Sequence, residues 1–159
     1  MTLKRGDLAP DFEATTTNGE RIKLSNLRGK RVALYFYPMD DTPGCTQQAC
    51  SIRDGFADLR DADVVVLGIS AQSQAQHQKF TNKHQLNFPL VVDENQSIAR
   101  AYGAVGGLLL PLQKILGISK RITILIGADG RVIEVLHNID TRNHATQIIR
   151  AFNDNQASQ

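Results

Sequence analysis

The segment "RVALYFYPMDDTPGCTQQACSIRD", residues 31–54, changes from one periodicity to another and decides how the rest of the chain is interpreted. Its first eight residues are mostly apolar and end at Pro38, which predicts a strand that stops there. From Thr42 onward, apolar residues recur at the spacing of an amphipathic helix of about four turns. These positions are Ala49, Ile52, Phe56 and Leu59. Both cysteines of the chain, Cys45 and Cys50, therefore lie on one predicted helix.

Strands and helices alternate around this unit. A hairpin is predicted over residues 12–24 because strand-forming residues flank Asn18-Gly19, a strong hairpin signal. Strands are expected over residues 63–70 and 88–93, a polar helix over 73–84, and a short helix over 93–103 that Asp93 caps and Gly103 ends. A second hairpin about Asp129-Gly130, over residues 121–138, and an amphipathic helix over 142–152 follow.

This order predicts an α/β fold with a mixed central sheet, helices on both faces and an N-terminal β-hairpin. It resembles the thioredoxin-like fold. Residues 103–120 interrupt the pattern as a long connection rich in Leu and Ile, with Pro111 and Gly117 placed to bracket a short helix. Two interpretations stay open for this segment: it packs on its own domain, or it forms a docking or dimer surface.

Length and charge exclude several classes of protein. At 159 residues and a formal net charge of +2 without a basic run, we expect one domain over residues 1–159 and no nucleic-acid partner. The apolar runs are too short to cross a bilayer, and the first residues lack the apolar stretch of a secretory signal. We therefore expect a cytoplasmic protein without a membrane partner. In a reducing cytosol, a disulfide between the two cysteines would be transient and chemical.

Cys45 occupies a position that favours a thiolate. Thr42 at the N-cap and Pro43 at the first helical position place Cys45 in the first turn, where backbone N–H groups have no partner within the helix. The helix dipole contributes only about 0.3–1 kcal/mol, which is too little to keep a thiol ionised at neutral pH. Hydrogen bonds to a charged group contribute about 1.5–3 kcal/mol each. A backbone N–H or the Thr42 hydroxyl, together with a guanidinium, must therefore supply the rest.

The five-residue spacing of Cys45 and Cys50 suits a reaction cycle. In an intact helix their Cα atoms would lie roughly 8.7 Å apart, whereas a disulfide tolerates about 7 Å. The two sulfurs would join only after the first turns of the helix unwind. For the same helix we expect Asp40 and Asp41 to point to solvent, because a carboxylate near the sulfur would oppose its ionisation.

Other interpretations remain open for these residues. Cys50 taken alone is also typical of a small buried apolar residue, and a metal site is disfavoured because C-x₄-C lacks the usual spacing. The four histidines are scattered, and each is expected at the surface. A thiol–disulfide oxidoreductase would favour C-x-x-C. A redox-sensing binding protein would use the same two cysteines without turnover.

The segment "PMDDTPGC", residues 38–45, fits the P-x-x-x-T-x-x-C signature of the peroxiredoxins. The longer stretch "YFYPMDDTPGCTQQACSIRD" resembles the peroxiredoxin Q subfamily, also called bacterioferritin comigratory proteins. The resemblance extends over nearly the whole chain, from "GDLAPDF" through "FPLVVDE" to "RITILIGADGRV". It implies a thioredoxin-like fold and reduction of peroxides by a cysteine, without metal, haem or flavin.

Five residues match the functional positions of that family. The resemblance implies that Cys45 is the peroxidatic cysteine and that Cys50 is the resolving cysteine, which forms a disulfide with it. Pro38 and Thr42 would shield and hydrogen-bond the reacting oxygens, and Arg121 would be the active-site arginine.

Two departures accompany these matches: Met39 stands where many relatives have lysine, and Gly127 stands where many have aspartate. Met39 removes a possible positive charge near the sulfur. The implied partners are a hydroperoxide substrate and thioredoxin or a similar dithiol, and the implied oligomeric state is a monomer.

Overall fold

The structure, a computed structural model, describes residues 3–105 and 119–157. The strands are β1 (Glu13–Thr15), β2 (Arg21–Lys23), β3 (Arg31–Phe36), β4 (Val64–Ser70), β5 (Leu90–Val92), β6 (Ile122–Ile126) and β7 (Val132–Leu136). The α-helices are α1 (Pro43–Asp54), α2 (Phe56–Asp61), α3 (Gln74–His84), α4 (Ser97–Ala101) and α5 (His144–Ala157), and a 3₁₀ helix spans Leu24–Leu27.

The central sheet has the strand order β5-β4-β3-β6-β7. Strand β3 pairs in parallel with β4 and β4 in parallel with β5, whereas β3–β6 and β6–β7 are antiparallel. Strands β1 and β2 form a separate antiparallel hairpin. The predicted mixed sheet and N-terminal hairpin are confirmed.

Strand β3 is buried on both faces, and its side chains alternate between two apolar clusters, as the period of a strand requires. Val32, Leu34 and Phe36 face the cluster that contains the N-terminal hairpin and α4. Ala33 and Tyr35 face the cluster formed with α1, α2, α3 and α5. Helices therefore cover both faces of the sheet, and the face that carries α1 also carries Cys45.

The turn and cap signals of the sequence have the expected local structures. Gly19 and Gly130 adopt φ values of +80° and +83° in the two hairpins, a conformation that glycine allows without strain. The Asp93 carboxylate accepts hydrogen bonds from the N–H groups of Ile98 and Ala99 at the start of α4. The capping prediction for Asp93 is therefore confirmed, although the residue directly before α4 is Gln96.

The predicted four-turn helix is wrong at its C-terminal end, because α1 stops at Asp54 and α2 begins at Phe56. A side chain at Gly55 would collide with the Ala145 side chain of α5. The break at this glycine thus allows α5 to pack closely against the α1–α2 junction.

Two further expectations concern the chain as a whole. The short helix expected within residues 111–117 lies outside the described residues. Over residues 3–105 and 119–157, the helices are too short or too polar for any of them to span a membrane.

Candidate active site

The N-terminal end of α1 has the predicted arrangement. Thr42 is the N-cap residue with extended backbone angles, and Pro43 occupies the first helical position. Cys45 follows in the first turn, where it is only 2% exposed. Because the first N–H groups of a helix have no intrahelical acceptor, this end of α1 directs hydrogen-bond donors toward the space beside the sulfur.

The Thr42 hydroxyl makes a different bond from the capping bond that an N-cap threonine usually makes. It donates to the Met39 carbonyl oxygen at 3.0 Å, and its side chain makes no capping bond to α1. With its proton committed to Met39, the Thr42 oxygen is left as an acceptor. The sequence offered two donors for the sulfur, a backbone N–H or the Thr42 hydroxyl, and the structure directs the hydroxyl proton to Met39 instead.

Arg121 supplies the guanidinium that the energetic argument required. It lies directly before β6, and its Nη2 atom donates to Cys45 Sγ at 3.3 Å. A Cβ atom at Gly44 would lie 3.1 Å from the same Nη2, so the glycine lets the guanidinium lie close to the first turn. The sulfur is buried, yet it faces a permanent positive charge.

Gln48 is a site residue that the sequence interpretation missed. Its side chain is fully buried, and its Oε1 atom accepts a hydrogen bond of 2.6 Å from Arg121 Nη1. Its Nε2 atom has no hydrogen-bond partner among the described residues. Gln48 follows Cys45 by three positions, which places both residues on one face of the helix. This spacing was the available signal.

Cys50 lies five residues, or about 1.4 turns, further along α1. Both cysteines have free thiols, with Cys45 buried and Cys50 half-buried. Helix α1 is continuous from Pro43 to Asp54, so the helical separation of about 8.7 Å between the two Cα atoms applies. A disulfide between them requires the helix to open first.

Pro38 lies between the end of β3 and α1 and is half-buried. It begins the loop that carries Met39 and Thr42 toward the sulfur. The preceding residue, Tyr37, still extends the sheet, because its N–H donates to the Ile69 carbonyl oxygen at 3.3 Å. Pro38 therefore marks the point where the chain leaves the sheet.

The prediction that Asp40 points to solvent is wrong. Its side chain is only 6% exposed, and its carboxylate contacts His77 Nδ1 and the Tyr37 hydroxyl, each at 2.6 Å. These two partners satisfy the hydrogen-bonding capacity of the carboxylate. The side chain can therefore be buried close to the site instead of lying in solvent. Asp41 is exposed as predicted, and hydrogen bonds from Lys83 and His84 lower the pKa of its carboxyl.

The prediction that each histidine lies at the surface is wrong for His77 and His144, which are both fully buried. His144 contacts the Thr123 hydroxyl through Nε2 and Gln147 Oε1 through Nδ1, each at 2.8 Å. Burial lowers the pKa of His144 to about 4. His144 is therefore neutral at physiological pH, because its burial disfavours the charged form.

The described residues contain no group of three or more His, Cys, Asp and Glu side chains that could hold a metal ion. The polar group that contacts the Cys45 sulfur is instead the Arg121 guanidinium, which is itself held by the Gln48 side chain. A guanidinium stabilises negative charge on sulfur or oxygen, which is the requirement for nucleophilic chemistry at a thiolate.

Known proteins with similar sequences show the family to which this chain belongs. The AhpC/TSA family profile matches residues 5–135. Peroxiredoxin Bcp of Bacillus subtilis is 38% identical over 154 residues, covering 97% of this chain and 98% of that protein. Peroxiredoxin Bcp of Escherichia coli is 41% identical over 142 residues, covering 89% and 90%.

A solved structure agrees with these sequence relatives. The bacterioferritin comigratory protein of Xanthomonas campestris, whose alkyl peroxide reduction activity has been studied through trapped intermediate and ligand complexes, superposes with a TM-score of 0.81. It is 26% identical, and the match covers 90% of each chain. The fold, the site and the relatives together show that the chain belongs to the AhpC/TSA family, within its peroxiredoxin Q, or bacterioferritin comigratory protein, group.

Proposed function

We propose that the chain is a thiol peroxidase in which Cys45 reduces hydroperoxides, including hydrogen peroxide. The observation that carries the proposal is the 3.3 Å hydrogen bond from Arg121 Nη2 to Cys45 Sγ at the N-terminal end of α1. A guanidinium stabilises the thiolate over the thiol, and the thiolate is the nucleophile. The names of the relatives support the same reaction class.

In the first step the Cys45 thiolate attacks one oxygen of the hydroperoxide in line with the O–O bond. The S–O bond forms as the O–O bond breaks, so sulfur is oxidised to a sulfenic acid and the other oxygen leaves as water or an alcohol after taking up a proton. Arg121 and the N–H of Cys45 stabilise the charge that develops on the oxygens. Thr42 would accept the O–H of the hydroperoxide, because its own proton is donated to Met39, and Pro38 would shield the reacting oxygens.

Gln48 acts through Arg121. Its Oε1 atom holds Nη1 at 2.6 Å, which leaves Nη2 directed at the sulfur. A guanidinium held at two points loses little freedom when the substrate arrives. We therefore assign Gln48 as a positioning residue for the arginine.

In the second step the Cys50 thiol condenses with the Cys45 sulfenic acid. The disulfide forms and water leaves, so the pair is oxidised without a further reagent. This step needs the first turns of α1 to unwind, because the intact helix keeps the two Cα atoms apart. Cys50 is half-buried and free, which suits a residue that waits for this opening.

The disulfide is then reduced by an external dithiol, which becomes oxidised in exchange. We propose thioredoxin or a similar dithiol protein for this role, in the cytoplasm, with the chain acting as a monomer and without a metal or organic cofactor. The reaction consumes one hydroperoxide and one dithiol in each cycle.

The test is hydroperoxide consumption with a dithiol reductant in excess. A thiol peroxidase consumes many equivalents of peroxide for each protein chain. Consumption that stops after a single equivalent would contradict the proposal and would favour a redox-sensing binding protein. The Cys50→Ser variant should reduce the first equivalent at the wild-type rate but form no intramolecular disulfide. If this variant cycled normally with thioredoxin, Cys50 would not be the resolving cysteine.

A further inference from the structure

A buried cluster holds the loop that leads into α1. It consists of Tyr37, Asp40 and His77, and we call it the Asp40 cluster. The side chains of Asp40 and His77 are 6% and 0% exposed, and Asp40 lies five residues before Cys45. The proposed reaction uses none of these three side chains, so a buried carboxylate so close to the site requires another explanation.

The hydrogen bonds of the Asp40 cluster show how many protons its histidine and carboxylate share. His77 Nε2 lies 3.1 Å from the Val91 carbonyl oxygen, which only accepts, so Nε2 carries a proton. The contact of 2.6 Å between His77 Nδ1 and Asp40 Oδ2 holds one further proton, and the Tyr37 hydroxyl donates to Asp40 Oδ1 at 2.6 Å. The Asp40–His77 pair is therefore neutral as a unit, wherever the shared proton lies.

The Asp40 cluster joins the loop to three parts of the fold. Tyr37 continues from β3, His77 lies within α3, and the Val91 carbonyl belongs to β5. The backbone N–H of Asp40 adds a hydrogen bond of 3.1 Å to Gln72 Oε1. The loop, which begins at Pro38, is thus attached at its third residue, Asp40, to elements that do not belong to α1.

The next residue, Asp41, shows why this attachment matters. Its φ of +63° lies in the left-handed region, which costs a residue with a side chain free energy and persists only where the surroundings enforce it. Asp41 directly precedes Thr42, the N-cap of α1. Loss of the Asp40 attachment would let the loop relax from this conformation, and the first turn of α1 would lose its starting point.

We propose that Asp40 and His77 are positioning residues that keep the first turn of α1 formed. They thereby set the balance between the closed helix, in which Cys45 meets the peroxide, and the open helix, in which Cys45 reaches Cys50. The second half of this inference rests on the proposed peroxidase function. The first half, control of helix opening, concerns the reduced protein alone.

Opposite changes in two rates distinguish this role from a general contribution to stability. The Asp40→Ala variant should form the sulfenic acid more slowly, because less of the helix is closed. It should form the disulfide faster, because more of the helix is open. A residue that only stabilises the whole domain would lower the melting temperature without driving the two rates apart.

The experiment compares the wild type with Asp40→Ala, His77→Ala and Asp40→Asn. Asparagine can still accept from Tyr37 through Oδ1 and donate to His77 Nδ1 through Nδ2, so it should restore wild-type behaviour. The control is Lys83→Ala, which removes the contact of 2.8 Å to Asp41 from the same helix and the same loop. That contact is exposed and should have little effect.

Two measurements are made on each variant. The first is hydrogen–deuterium exchange in a peptide covering residues 43–50 of the reduced protein, and the second is stopped-flow kinetics of the two oxidation steps with hydrogen peroxide. In Asp40→Ala and His77→Ala, exchange should be faster by about tenfold or more, as expected when a buried hydrogen-bonding group loses its partner. Asp40→Asn and Lys83→Ala should resemble the wild type.

Unchanged exchange in both alanine variants would overturn the inference, and so would an Asp40→Asn variant that behaves like Asp40→Ala. If the alanine variants do not fold, Tyr37→Phe is used, because it removes a single hydrogen bond of the Asp40 cluster. Its exchange should be faster than in the wild type, by a smaller factor than expected for the alanine variants. Unchanged exchange in Tyr37→Phe would then overturn the inference. A wild type that forms no sulfenic acid would refute the proposed function. The exchange measurement would still decide whether the Asp40 cluster controls helix opening.

Discussion

The two ends of α1 are attached to the fold in different ways, although the helix is continuous. At the C-terminal end each contact pairs a side chain with a backbone group: Arg53 Nη1 donates to the His84 carbonyl at 2.6 Å, and Asn87 Nδ2 donates to the Arg53 carbonyl at 3.2 Å. The N–H of His144 adds a bond of 3.2 Å to Ser51 Oγ. Three separate residues thus fix the last turn.

At the N-terminal end the contacts to α1 join side chains. Arg121 reaches Gln48 and Thr141 reaches Gln47, each at 2.6 Å. Among these contacts, the α1 backbone atom involved is the Arg53 carbonyl oxygen in the last turn, whereas Gln47 and Gln48 are held through their side chains. A bond to a backbone atom is lost when its turn unwinds, so this difference fits the opening proposed above for the end of α1 that carries Cys45.

The largest effect is expected from removal of the reactive sulfur. Cys45→Ser should abolish peroxide turnover, because a serine hydroxyl does not ionise near neutral pH and cannot replace the thiolate. The measurement is peroxide consumption under excess dithiol, with the melting temperature as a control for folding. Turnover that survives in Cys45→Ser would place the reaction elsewhere on the chain.

A smaller effect is expected from the guanidinium. Arg121→Lys keeps the charge but cannot hold the sulfur and Gln48 with one rigid group, so the second-order rate constant with peroxide should fall by about 100-fold. Arg142→Lys is the matched control, since Arg142 is exposed. A similar loss in both variants, or in neither, would contradict the role assigned to Arg121.

Acid should lower the free energy of unfolding through His144, whose backbone N–H bonds Ser51 in the last turn of α1. Its pKa is lowered to about 4 in the folded protein, below the usual value of about 6.5, so the unfolded chain binds the proton more readily. The contribution is complete above pH 6.5 and is lost as the pH falls toward 4, a change of about 3 kcal/mol in the free energy of unfolding. Urea denaturation at a series of pH values measures it.

The control for this prediction is the exposed His137. His137→Asn should keep the wild-type decline in stability between pH 6.5 and 4, and His144→Asn should flatten it. A flat profile in the wild type would show that the burial of His144 has no such consequence.

The smallest effect is expected at the last turn of α1. Arg53→Ala loses the bond to the His84 carbonyl, and the side chain is 31% exposed, so the free energy of unfolding should fall by about 1 kcal/mol. The rate of sulfenic acid formation should stay within about twofold of the wild type. A large fall in that rate would mean that the two ends of the helix are not independent.

Local signals predicted the elements better than the site. Asn18-Gly19 and Asp129-Gly130 specify their hairpins through short-range turn chemistry, and Asp93 accepts hydrogen bonds from the N–H groups at the start of α4. These features depend on neighbours in the sequence. The break at Gly55 escaped prediction because its cause is Ala145, a residue of a distant helix.

The parts of the site that the residues alone could not predict are long-range contacts. Arg121 is one of eleven arginines, and it lies 76 residues from Cys45 in the sequence. Only the family resemblance identified it as the active-site arginine. The contact between Asp40 and His77 joins positions 37 residues apart. Asp40 was expected in solvent because a carboxylate would oppose ionisation of the sulfur, and His77 was expected at the surface because the histidines are scattered along the sequence. Charge alone misled here because the partner lay on another element.

The most direct test of the account treats the reduced protein with one equivalent of hydrogen peroxide and analyses the peptides by mass spectrometry. We predict an internal disulfide between Cys45 and Cys50 in the wild type and a sulfenic acid on Cys45 in Cys50→Ser. Oxidation of Cys50 with Cys45 left as a free thiol would contradict it.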